Sequence, residues 1–140
     1  MSFVTVGARD IARLRAFYVD GLGWQPSIET DNFCAFLLGG VVLGFYAMDN
    51  LQAEAHATPP AAGAWSGTAL AQNVARKEEV DDLYASWVAA GATPIAEPVD
   101  HPYGPRSAYV ADPEGNRWEL AWANGLEWNE QGAITKFSAT

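Results

Sequence analysis

Between Tyr109 and Trp122 the chain reads YVADPEGNRWELAW, which sets a carboxylate, Glu119, between Trp118 and Leu120. A carboxylate on the inner face of a sheet is costly unless it is paired, hydrogen-bonded or wet. Glu119 is therefore either an outward residue of a half-exposed strand, or a metal ligand or polar anchor in a cleft. Few other residues could join it in chemistry. His56 and His101 fall in loop sequence, and loops run over the surface. Gln72 and Asn73 sit in the string ALAQNVA. There is no Gly-rich phosphate loop, and no Ser/His/Asp or Cys/His nucleophile set is evident. Cys34 is the only cysteine, which excludes an intramolecular disulfide, and its setting, NFCAFLL, reads as buried and apolar.

The elements that must position Glu119 follow from periodicity. SFVTVGA alternates and predicts a strand over Phe3–Ala8. Asp10 is a good N-cap for a helix whose apolar stripe is Ile11, Leu14, Phe17 and Tyr18, with Gly21 and Gly23 closing it. A strand is expected over Trp24–Thr30, and AFLLGGVVLGFY reads as a hairpin about Gly39-Gly40. The stretch Ala47–Ser66, rich in Ala, Pro and Gly, reads as a linker. Then the order repeats. Gly67–Val74 is a strand; Lys77–Ala90 is a helix with the stripe Val80, Leu83, Tyr84, Trp87 and Val88; Thr93–Glu97 is a strand. HPYGP is a loop, and Arg106–Ala111 and Arg117–Trp122 form a hairpin across DPEGN.

The expected fold is α+β, with two β-α-β-β-β modules over residues 1–46 and 67–124, a linker 47–66 and a tail 125–140. One helix covers only one face of its sheet, so two such sheets predict a half-open barrel with helices outside and a ligand cleft inside. Large residues (Leu43, Phe45, Trp118, Leu120) should lie under the helices. Phe3, Thr5, Gly7, Val42, Gly44, Tyr46, Ala69, Ala71, Asn73 and Glu119 should face the cleft. Such a surface, small or aromatic with a few polar points, suits an organic ligand. Of six Trp, Trp87, Trp118 and Trp122 read as core, while periodicity does not place Trp24, Trp65 and Trp128. Trp65 is a candidate to stack on a flat or cationic ligand. The loop bearing His101, Tyr103 and Arg106 is a candidate lid at the cleft mouth.

VTVGARDIARLRAFYVDGLGW, DPEGNRWELAW and the paired module order resemble the vicinal oxygen chelate superfamily, also called the glyoxalase/bleomycin-resistance/dioxygenase proteins. The resemblance runs to about Asn124. It implies, in metal-dependent members, four inward side chains on a divalent ion that chelates two neighbouring substrate oxygens. Here the corresponding positions are Phe3, Gly44, Ala69 and Glu119, so one donor remains of four. The resemblance then implies a metal-free relative of the antibiotic-sequestering members, without cofactor, binding a small organic molecule such as an antibiotic-like cation, as a homodimer. The alternatives are a divalent-metal-dependent lyase or dioxygenase with an atypical set around Glu119, drawing on His101 or Gln72, and metal-free catalysis with Glu119 as general base.

The formal charge of −9 opposes nucleic acid and anionic membranes as partners. No apolar run approaches the roughly 20 residues of a membrane span, and MSFVTVGARD does not read as a signal peptide. A cytoplasmic location is the expectation.

Overall fold

The computed structural model describes residues 1–138. Strand β1 (Phe3–Ala8) leads into helix α1 (Ile11–Arg15). The Asp10 side chain caps α1 by accepting from the Arg13 N–H at 2.9 Å. After Arg15 the helix widens into an i→i+5 turn over Ala16–Gly21, in place of the regular helix expected to Asp20. This turn brings the adjacent aromatics Phe17 and Tyr18 onto one buried face. Strands β2 (Ile28–Glu29), β3 (Phe33–Leu38) and β4 (Val41–Ala47) complete the first sheet, in the order β1-β4-β3-β2. The Trp24–Thr30 strand shrinks to two residues. Between β3 and β4, Gly39 and Gly40 both take positive φ, 51° and 106°, as the tight two-residue hairpin requires.

The second module repeats the plan. Strand β5 (Ala69–Asn73), a helix over Glu79–Ala89, and strands β6 (Thr93–Asp100), β7 (Arg106–Ala111) and β8 (Arg117–Trp122) give the order β5-β8-β7-β6. In each sheet the first strand pairs parallel with the last and the remaining pairs are antiparallel, so both sheets are mixed. They do not close into a barrel.

Two segments carry more structure than their composition suggests. Helix α2 (Met48–Ala55) occupies the start of the presumed linker, and its Met48 and Leu51 side chains lie over Gly7. The second module's helix is therefore α3. The presumed tail forms a hairpin of β9 (Leu126–Trp128) and β10 (Ile134–Phe137). Its Gly132 carbonyl approaches the Gly39 turn so closely that a Cβ on Gly39 would sit 2.6 Å from it. Both elements are held by tertiary contact, which neither apolar period nor turn chemistry announces.

One aromatic core joins the modules. Tyr18 stacks on Phe45 at 4.8 Å and lies 6.1 Å from Trp118; Phe17 and Trp118 both pack on Trp87. Trp24, not placed by periodicity, meets Tyr18 and Phe36 of its own module and Trp87 and Trp118 of the other. Tyr18, fully buried, donates to Asp112 and accepts from the Trp118 N–H, each at 2.8 Å. Burial, then the nearby Asp112 carboxylate, pushes the Tyr18 phenol well above its ordinary pKa. The Glu114 carboxylate accepts from the N–H groups of Arg9 and Asp10, so the DPEGN turn of the second module also seats the start of α1.

Candidate functional site

Because the helix-side faces of both sheets share that core, candidate binding surfaces lie on the opposite faces, of which the first sheet's is partly covered by α2 at Gly7 and Tyr46. Strand register assigns each residue. In the first sheet, Phe3, Thr5 and Gly7 pair with Val42, Gly44 and Tyr46, and Phe33, Ala35 and Leu37 complete the same face. In the second, Ala71 and Asn73 pair with Glu119 and Ala121, which pair in turn with Tyr109 and Ser107 of β7. Leu43, Phe45, Trp118 and Leu120 are buried on the helix side, as strand alternation predicts; on the opposite faces Phe3, Thr5, Ala69 and Ala71 are exposed, but Ala35, Gly44, Ser107 and Ala121 are buried.

The Glu119 face gathers a polar group. Glu119 is partly buried and lies beside Tyr109. Burial and then the Glu119 charge raise the Tyr109 phenol pKa. At the rim, His101 Nε2 lies 2.8 Å from Ser107 Oγ, and its ring stacks on Tyr103 at 5.2 Å. His101 and Tyr103 thus belong to the face that carries Glu119. Tyr109 and Ser107 were not among the sequence candidates, although the two-strand register across DPEGN would have found them by counting outward from the turn.

The other candidates disperse. Arg106 alternates with Ser107 and so belongs to the helix side, where it donates to both oxygens of Asp81 and to Asp100. Those bonds raise its pKa further and lower the pKa of both aspartates; the hydrogen bond to Lys77 is the larger cause for Asp100. Arg106 therefore braces α3 and β6 and does not serve as a cleft group. Tyr46 donates to Glu54 of α2 at 2.7 Å, which raises its phenol pKa. Thr5 and Trp65 line a cavity of about 460 Å³ under α2 and the following segment, and the indole N–H of Trp65 donates to the Thr68 carbonyl. Ala69 and Asn73 line a second cavity, beside β5. Glu119 lines neither of these two cavities.

Phe3 and Gly44 lie together in the first sheet, and the space a Gly44 side chain would take is filled by rings. A Cβ there would meet Phe3 and Phe33 carbons at 2.9 Å, and the two rings stack 6.3 Å apart. No three His, Cys, Asp or Glu side chains converge among the described residues. The donor set thus does not fit a divalent metal, which needs about three protein ligands.

A model of the Glyoxalase/Bleomycin resistance protein/Dioxygenase superfamily matches residues 1–120. The chain belongs to this superfamily. Among solved structures similar to this superfamily member is a glyoxalase-related enzyme from Fulvimarina pelagi, 30% identical, with a TM-score of 0.87 and 96% of each chain covered. A glyoxalase/bleomycin resistance protein/dioxygenase family enzyme from Burkholderia phytofirmans is also 30% identical, with a TM-score of 0.72 over 86% of this chain and 96% of that one. A lactoylglutathione lyase from Agrobacterium tumefaciens, 24% identical with a TM-score of 0.68 over 88% and 92%, shares the fold. No curated protein matches. Among the described residues no helix is long and apolar enough to cross a membrane.

Proposed function

We propose that this superfamily member binds a small organic molecule, without a metal, on the face around Glu119. The observation that carries the reading is the donor set. Of the four positions that metal-dependent relatives use, Phe3, Gly44 and Ala69 offer no ligand atom, and aromatic rings fill the Gly44 corner. A symmetric second copy would bring the same four positions and add no new kind of donor. Glu119 instead anchors a ligand cation or donor, with Tyr109 and Asn73 beside it and small Ala71 and Ala121 as floor. A homodimer is part of the proposal. Phe3, Ile28 and Leu37 stand 45%, 54% and 67% exposed on the open face of the first sheet, an apolar surface that a second copy would cover.

The test is calorimetric titration with aromatic amines and quaternary ammonium compounds, alongside metal analysis of protein purified without chelator. The expected result is no stoichiometric metal, and cation binding weakened about tenfold or more in Glu119→Gln, the loss of a charge-assisted contact. A divalent ion at full occupancy that disappears in Glu119→Ala would refute the proposal. That outcome would favour a metal-dependent lyase or dioxygenase, a reading supported by His101 lying on the Glu119 face.

A further inference from the structure

A cavity of about 870 Å³ opens between the β5 edge, the β3–β4 turn and the C-terminal hairpin. Its walls include Trp24, Trp118 and Trp128, three of the chain's six tryptophans. Its polar points are amides: Asn73 and Gln25, Gln72 and Gln131. No lining side chain is charged, in a protein where 18% of residues are, and the α-amine belongs to a Met1 that is fully exposed and so hydrated. The amides retain complementary capacity. Gln72 accepts from the Trp87 N–H through Oε1, which leaves its NH₂ to donate. Gln25 donates its NH₂ to the Gly23 carbonyl, which leaves its Oε1 to accept.

We infer that this cavity is a second binding site, for a neutral, flat aromatic molecule carrying an amide-like edge that both donates and accepts. The Trp128 indole, 36% exposed, supplies the stacking surface, with the core-packed Trp24 and Trp118 behind it. A charged ligand would lose hydration there with no counter-charge to meet it. An uncharged amide matches the Gln and Asn groups on both sides of its hydrogen-bonding capacity. The cavity shares Ala71 and Asn73 of β5 with the Glu119 face, but Glu119 does not line it; ligand charge therefore separates the two readings, the neutral probe testing this cavity and the cation titration of Glu119→Gln testing the other.

Three probes of one shape decide it: naphthalene-2-carboxamide, 2-naphthoate and naphthalene-2-carboxamidine, titrated calorimetrically into the full chain. The carboxamide should bind at least about tenfold more tightly than either charged analogue. Trp128→Ala, on an exposed hairpin that the core does not need, should lower carboxamide affinity about tenfold, and Gln72→Leu should narrow the preference for the amide. Equal binding of the three probes, or unchanged affinity in Trp128→Ala, would overturn the inference. So would sedimentation showing that the carboxamide converts a dimer to monomers, because the cavity would then be a seat for the second copy.

Discussion

Replacing Tyr18 by Phe removes one oxygen atom from the centre of the molecule and leaves the ring packing in place. The hydroxyl donates to Asp112 and accepts from the Trp118 indole, both at 2.8 Å, and all three residues are at most 3% exposed. Asp112 would keep donors from Glu114, Asn116 and the Asn116 side chain. The Trp118 N–H has no such reserve and would be buried without a partner, at a cost of about 1–3 kcal/mol. Loss of a bond to a charged group adds to this, for roughly 2–4 kcal/mol in all. For a chain of this size that lowers Tm by about 7–14 °C. Urea denaturation followed by fluorescence should show the midpoint falling with the slope unchanged. The alkaline limb gives an independent reading. The Tyr18 pKa is raised in the folded state, so the stabilisation is complete below the ordinary tyrosine value of about 10 and is lost as pH rises through the folded value. Tyr18→Phe should therefore lose stability less steeply above about pH 10 than the parent chain does. A loss under about 1 kcal/mol would mean that the indole finds water or another acceptor, and the argument for a fully satisfied polar centre between the modules would fail.

Gly39→Ala should cost about 1–3 kcal/mol, because Gly39 has φ 51° and its Cβ would strike the Gly132 backbone; limited proteolysis should then cut the C-terminal hairpin before the core. The Cys34 thiol is 1% exposed and its pKa is raised, by burial first and then by the Glu29 charge, so native protein should resist a thiol-reactive dye that labels the urea-unfolded chain fully. Arg106→Gln should lower stability modestly at neutral pH; Asp81 and Asp100 have depressed pKa values, so that contribution is present above about pH 4 and fades as pH falls through their folded values, and the two melting curves should converge in acid. Were the gap between the curves to widen instead, the salt bridges would not be its source.

Local chemistry determined a good deal on its own. The strand over Phe3–Ala8, the Asp10 cap, the Gly39-Gly40 turn and the hairpin across DPEGN depend on neighbours a few residues apart, and the structure has them where periodicity and turn residues put them. Alternation then assigned Trp118 and Leu120 to the core and Glu119 to the opposite face, since a strand's side chains have no third choice. Long-range contact decided the rest. The widened turn at Ala16–Gly21 exists with Phe17 and Tyr18 both packed against the far module, helix α2 forms where Met48 and Leu51 meet Gly7, and the terminal hairpin docks on the Gly39 turn. Arg106 looked like a cleft residue because its loop is near the cleft in sequence. Strand parity and two aspartates, one of them 25 residues away, turned it to the helix side. Residue identity and strand parity are local properties, so the sequence alone could assign Phe3, Gly44, Ala69 and Glu119 to the positions that the family resemblance implies. Only the tertiary structure decided which corners meet and which cavities open between them, because those depend on packing between segments far apart along the chain.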